Sequence, residues 1–197
     1  MLEAKVKLLN LHGYSFIKVV PSYKVNNSKE YQYLRDSFLE QGYEGCIIRD
    51  PKAKYKQGRS SSVKPELWRY KPWSTSEIIV TRLVEEMQNN NQAKVNELGR
   101  TERSSHKENL VGKGTLGAII GTLYNDLLDY KGKVVATKGT EITIATGSLT
   151  EKEKLDLWNN PGKIVGQLCT FDYMSYGLKD NARFAQYKSL RSLNDLS

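Results

Sequence analysis

Two short stretches pair a carboxylate with closely spaced cations in a manner suited to phosphoryl chemistry. Glu44-Gly45-Cys46-Ile47-Ile48-Arg49 opens with an acid, and Leu67-Trp68-Arg69-Tyr70-Lys71-Pro72 carries two cations at alternate positions. On a strand Arg69 and Lys71 share a face, so their charges can converge on one phosphate group, while Trp68 and Tyr70 take the other face and can pack a core. Glu44 can hold a divalent metal beside that phosphate, directly or through water, because magnesium uses few carboxylates and keeps several waters. Arg49 is five residues from Glu44 and falls on the opposite face of an ideal strand; only a twist or bulge brings it into the same pocket. The same pattern also suits a cross-strand lattice of salt bridges, and residue types alone leave both readings open.

Other motifs say less. Gly112-Lys113-Gly114-Thr115-Leu116-Gly117 has the spelling of a dinucleotide-binding turn. That turn must follow a strand and open a helix, whereas here a polar stretch precedes it and Ala118, Ile119, Ile120 and Thr122 follow as strand residues. The glycines are therefore expected at a strand entry or bulge. No P-loop sequence is present, and His12 and His106 are isolated from any nucleophile. Cys46 and Cys169 provide neither a disulfide framework nor a zinc spacing, which fits a cytoplasmic location. No apolar run approaches the roughly 18 residues that span a bilayer, so no membrane association is expected.

Charge is distributed unevenly. Residues 1–73 hold 14 basic and 7 acidic side chains, whereas residues 74–197 hold 16 and 15. Between Arg49 and Lys71 lie eight cations, among them Lys54, Lys56 and Arg59, against Asp50 and Glu66 alone. Such a stripe suits a polyanion, nucleic acid or nucleotide phosphate; a solvated lysine-rich loop would have the same composition.

The elements that must position these groups divide the chain in two. In residues 1–73, Phe16 to Val20 is expected as a strand. A helix is expected from a capping box at Asn27 and Glu30 to Gly42, followed by strands at Tyr43–Arg49 and Leu67–Trp73. Residues 74–197 are richer in strands, at Ile78–Val84, Gly114–Tyr124, Lys133–Thr137, Glu141–Ile144, Ile164–Tyr173 and Phe184–Leu190. One helix follows a capping box at Thr150 and Glu153. Five or six short strands with one interposed helix predict a small barrel of OB type. Met87 to Lys113 is expected to be a long polar connection, functional or disordered.

Read together, these stretches resemble the covalent nucleotidyltransferases, which include DNA ligases, RNA ligases and mRNA capping enzymes. Glu44-Gly45 with Arg49 looks like the fourth signature of that family and Arg69-Tyr70-Lys71 like the fifth, with arginine where lysine is usual. Tyr55-Lys56-Gln57-Gly58-Arg59-Ser60 is similar to phage and bacterial DNA ligases, and the run from Asn96 to Asn109 is similar to an insertion in the OB domain of phage ligases. Gly114 to Ala118, Ile144 to Gly147, Arg183-Phe184 and Leu190-Arg191 follow the ligase OB pattern. The resemblance covers about residues 14 to 191.

It implies a mixed α+β chain. Residues 1–73 would be the back half of a nucleotidyltransferase domain of ATP-grasp-like ligase type, and residues 74–197 an OB-fold DNA-binding domain. It further implies an ATP-dependent DNA ligase of bacteriophage type, acting in replication, repair and recombination in the host cytoplasm. Such an enzyme transfers AMP from ATP to a lysine, then to the 5′-phosphate of a nick in duplex DNA, where the adjacent 3′-hydroxyl displaces it. Glu44 would bind Mg2+; Glu44, Arg49, Arg69 and Lys71 would line the nucleotide site, with Arg69 and Lys71 acting on the α-phosphate. Lys54, Lys56, Arg59, Arg100, Arg103 and Lys107 would meet DNA. The K-x-D-G nucleophile motif of the family is absent from these 197 residues. The chain is accordingly expected to be a fragment, or to work with a second chain carrying that lysine, and not to adenylate itself alone. A capping enzyme, an RNA ligase fragment and a non-catalytic OB module remain open alternatives.

Overall fold

The computed structural model describes residues 2–58, 60 and 66–191. The chain divides into two compact units, Met1–Arg69 and Tyr70–Ser197.

The first unit contains helix α1 (Leu2–Leu11), helix α2 (Ser28–Glu40) and a two-stranded ribbon of β1 (Cys46–Arg49) with β2 (Leu67–Tyr70), whose last residue crosses the division. Asn27 caps α2 by accepting from the Glu30 amide at 2.9 Å. The Glu30 carboxylate returns to the Asn26 amide at 2.9 Å, one residue earlier than in the usual capping box. The helix ends at Gln41, and Gly42 follows at φ +86°, the left-handed turn that glycine permits. Phe38 lies between the rings of Tyr23 and Tyr43, 5.8 Å from each, and so ties the entering and leaving chain to α2. Helix α1 was not expected from the sequence. Conversely, the strand expected at Phe16 to Val20 is irregular chain: among the described residues of this unit the only sheet is the β1–β2 pair, and a lone extended segment has no ladder to join.

Burial separates the two units. Among the described residues every buried hydrophobic side chain falls between Ile78 and Ala185, in the second unit. Helix α2 buries none of its residues, and Leu11, Phe16, Val20, Tyr33, Ile47 and Tyr55 of the first unit are exposed.

The second unit is built on five strands: β3 (Ser74–Asn89), β6 (Leu110–Leu123), β9 (Glu141–Ala145), β10 (Leu168–Met174) and β11 (Arg183–Arg191). They close in the order β3-β6-β9-β11-β10 and back to β3. All these pairings are antiparallel except β9 with β11, where Gln186 faces Ala145 in parallel. Period-two burial fills the interior: Ile142 and Ile144 point inward from β9, and they meet Ile78, Val80, Leu116, Ile119, Leu123, Phe171 and Tyr173. Helix α3 (Glu151–Asn159) joins β9 to β10 and contributes Leu157 to this core. The reciprocal capping box of Thr150 and Glu153 is formed as expected. A small hairpin of β7 (Leu127–Leu128) and β8 (Val134–Ala136) lies between β6 and β9.

The expected connection at Met87 to Lys113 is instead an extension of the barrel. Strand β3 continues to Asn89 and pairs with β6 from its first residue, Leu110, while β4 (Ala93–Val95) and β5 (Thr101–Arg103) form a hairpin beyond them. Both faces of this arm are largely wet, so it lacks the apolar alternation that identifies a strand. The glycines of the Gly112–Gly117 motif sit in β6 where the β3–β6 register slips between Val84 and Met87, as a bulge reading requires. Gly114 has φ +65°. A Cβ on Gly117 would stand 2.6 Å from the Cα of Glu86, so the two backbones approach closer than any side chain permits.

Candidate functional site

In the first unit Glu44 is exposed on the turn into β1. Arg49 ends that strand, its guanidinium 5.7 Å from the centre of the Tyr55 ring. A tight turn follows, in which the Asp50 carboxylate accepts from the Lys52 amide at 2.8 Å and the Asp50 amide donates to the carbonyl of Glu66 at 3.2 Å. This turn projects Lys52, Lys54 and Lys56 into solvent. Arg59 lies outside the described residues. Burial raises the pKa of the Cys46 thiol, opposed by a hydrogen bond from Tyr31 and the charge of Arg35.

Strand β2 carries Arg69 exposed and ends at Tyr70. Lys71 lies one residue past it, half-buried, so the expected alternation of Arg69 and Lys71 along one strand does not extend to Lys71. Arg69 and Glu44 belong to the first unit and Lys71 to the second. Among the described residues no three His, Cys, Asp or Glu side chains gather as a metal cage. A single exposed carboxylate such as Glu44 nevertheless fits magnesium that is held mainly by water and substrate phosphate oxygens.

The arm is held by a dense polar neck. Asn91 is only 6% exposed, and its side-chain amide donates to the carbonyls of Ser104 (3.0 Å) and His106 (2.8 Å). Its side-chain oxygen accepts from Asn109 at 3.1 Å, and Asn89 adds a donation to Ser104 at 2.8 Å. The Arg103 guanidinium donates to the Asn91 carbonyl and so helps to hold the neck. At the tip Asn96 accepts from the amides of Leu98 (3.1 Å) and Arg100 (3.0 Å), stiffening the turn. Lys94, Arg100 and Lys107 remain exposed, alongside the apolar Val95 and Leu98.

On the barrel Asp172 accepts from Thr75 at 2.9 Å and from Lys188 at 3.0 Å, and Glu77 holds Arg191 at 2.8 Å. A groove of about 360 Å³ opens beside Thr75, Glu77, Tyr173 and Arg191. Phe184 is the one described non-glycine residue with positive φ, at +55°, and its exposed ring lies 5.1 Å from the Arg183 guanidinium. Such a conformation is costly for a bulky side chain and marks a candidate functional position, within the Arg183-Phe184 pair noted in the sequence but with no role assigned there.

No protein-family profile matches the chain. Over 66 residues, 34% of its length, it is 33% identical to the DNA ligase of African swine fever virus. Its fold is similar to a Lig E DNA ligase (19% identity, TM-score 0.53, 88% of this chain) and to a solved protein described as Pmar-Lig_Pre (20% identity, TM-score 0.54, 85% of this chain). The chain resembles the C-terminal part of a DNA ligase. This ligase-like chain spans 16% of the viral ligase, 50% of the Lig E chain and 31% of the Pmar-Lig_Pre chain. Among its described residues no helix is long and apolar enough to cross a membrane.

Proposed function

We propose that this chain supplies the back of the nucleotide site and the DNA-clasping domain of an ATP-dependent DNA ligase that seals nicks in duplex DNA. The closed barrel, with its helix between the third and fourth barrel strands, is read as an OB fold. Residues 1–73 are read as the back half of the adenylation domain. The observation that carries the reading is the contrast in burial: the first unit has helices, a two-stranded ribbon and a basic stripe but no buried apolar side chain among its described residues. So much exposed apolar surface calls for further polypeptide to cover it. In this reading that polypeptide is the front half of the same domain, in one chain or in a second, and it carries the adenylated lysine.

Within the completed site Glu44 helps hold Mg2+, which would neutralise phosphate charge. Arg69 and Lys71 stabilise the α-phosphate of ATP, and Arg49 supports the nucleotide pocket. Transfer of AMP to the lysine, to the 5′-phosphate and then its displacement by the 3′-hydroxyl demands positioning and charge neutralisation more than acid–base chemistry. Lys54, Lys56 and Arg59 follow the DNA backbone, and the arm adds Arg100, Arg103 and Lys107, with Lys94 beside them. Contacts of this kind are independent of sequence, as nick sealing requires.

Incubation with ATP and magnesium followed by intact-mass measurement tests the reading. The chain alone should gain no AMP, because electrostatic stabilisation cannot replace a covalent acceptor. Adding a front-half polypeptide with K-x-D-G should place one AMP on that partner, and Lys71→Ala should reduce the transfer by about two orders of magnitude. Stoichiometric AMP on this chain alone, or labelling of the partner that is indifferent to Lys71, refutes the reading.

A further inference from the structure

The arm leaves the barrel as a two-stranded ribbon with, among the described residues, no third strand beside it. Strand β6 pairs with β9 only over Ala118 to Thr122, and β3 pairs with β10 only over Ser74 to Ile79. From Glu85 outward the β3–β6 pair has no further strand beside it among the described residues, and its register slips on both sides of Glu85. A bulged ribbon bends and twists, and no neighbouring strand fixes its angle. Something else must do so.

The adjacent carboxylates at the bend are both engaged. Glu85 folds back within the ribbon: its carboxylate occupies the space a Cβ on Gly112 would need and accepts from the Gly114 amide at 2.7 Å. Glu86 faces outward and spans two elements. One oxygen accepts from Lys113 on β6, and the other accepts from Lys154 of helix α3 at 2.9 Å. Lys154 continues the chain to Glu151 at 2.7 Å. The Lys154 side chain is 11% exposed, so its charge requires these partners, and Glu86 is the one that does not come from its own helix.

We propose that Glu86 is a positioning residue that sets the angle of the arm by tying its root to helix α3, so that the arm is in place before a nucleic-acid duplex arrives. The proposal rests on reading the arm as a DNA-contacting element. It makes a prediction opposite to simple electrostatics. Neutralising an acid on a DNA-binding protein should tighten binding, whereas loss of the tie frees the arm and makes association bear the cost of ordering it.

The test places spin labels on the arm at Lys94→Cys and on α3 at Lys152→Cys, in the full chain with its two native cysteines replaced. Distances are measured with and without Glu86→Gln. The unsubstituted root should give one narrow distribution, and Glu86→Gln a broad one. Affinity for duplex DNA should fall by about tenfold, the scale of ordering a few side chains and a loop. Lys154→Met, which cuts the helix side of the tie and leaves Glu86 paired with Lys113, should broaden the distribution as well, so that poor folding of Glu86→Gln cannot conceal the answer. Narrow distributions in both variants, or tighter DNA binding by Glu86→Gln, overturn the proposal. A broadened arm with unchanged DNA affinity upholds the tie and refutes the DNA reading of the arm.

Discussion

Replacing Asn91 by alanine isolates the neck of the arm from the barrel that carries it. The side chain donates to Ser104 and His106 and accepts from Asn109 at 2.8 to 3.1 Å, so three hydrogen bonds are lost together. At about 1 kcal/mol net for each, the full loss is about 3 kcal/mol. Ser104 and His106 are exposed, and water can take over part of their demand, which reduces the expected effect to about 2 kcal/mol. The Asn89 bond to Ser104 and the Arg103 bond to the Asn91 backbone survive the substitution, so the hairpin should still form. The cost falls on local opening. Two kcal/mol is about a thirtyfold change in the opening equilibrium, read as thirtyfold faster hydrogen exchange at the arm amides of Asn96 and Gly99. The amides of Ile119 and Ile144, inside the barrel ladder, should exchange as before. Unchanged exchange at the arm would show that the neck is held elsewhere. Equal acceleration in arm and barrel would show that Asn91 supports the whole unit, and either result refutes the account given of the neck.

Two further substitutions and labelling experiments probe the barrel. Gly117→Ala should destabilise it by about 3 kcal/mol in urea unfolding, since the new Cβ meets Glu86 backbone atoms at 2.6 and 2.7 Å and a strand must move; Gly162→Ala, with nothing within 4 Å, is the matched control, and similar values for the two would refute the close-approach argument. Burial pushes the Cys169 thiol from 9.0 up to about 12, so the fold favours its neutral form: the stability this contributes is complete below pH 9 and is lost as pH rises toward 12. Iodoacetamide at pH 8 should therefore label half-buried Cys46 well before Cys169, and equal rates in the native chain would contradict the burial.

What the sequence disclosed depended on whether one side of an element faces a dry interior. Strand β9 was legible because Ile142 and Ile144 alternate with exposed neighbours, and α3 was legible because Thr150 and Glu153 satisfy each other's backbone. The arm was missed because alternation disappears when both faces are wet; its order comes from amide side chains such as Asn89, Asn91 and Asn109, which also suit disordered loops. Helix α1 carried good helix formers, Leu, Ala, Lys and Glu, but no capping signal at its start. Phe16 to Val20 had strand propensity with no strand to pair with, and propensity alone does not make a ladder. At the candidate site the residue types Glu44, Arg69 and Lys71 were readable, whereas their mutual geometry was not. Strand β2 stops at Tyr70, and the two-residue alternation that placed both cations on one face reaches only Arg69.

In the proposed DNA footprint the arm's arginines are held in different ways. Arg100 and Arg103 are three residues apart on one hairpin, in similar surroundings by sequence. Both are exposed, but the Arg103 guanidinium supports the carbonyl of Asn91, whereas Arg100 follows a turn pinned by Asn96. A guanidinium has five N–H donors, so Arg103 can keep its contact to the Asn91 carbonyl and still offer donors to a phosphate, from a position that the contact fixes. In the proposed footprint each arginine exchanges water and counterions, whose release favours binding. In the proposed reading both arginines meet the backbone, Arg103 while also stiffening the arm and Arg100 from the turn. On the proposed reading the stiffening has its own value for association: an arm fixed by Asn91, Arg103 and Glu86 has lost its conformational freedom during folding, and a duplex that meets it would not bear that cost again.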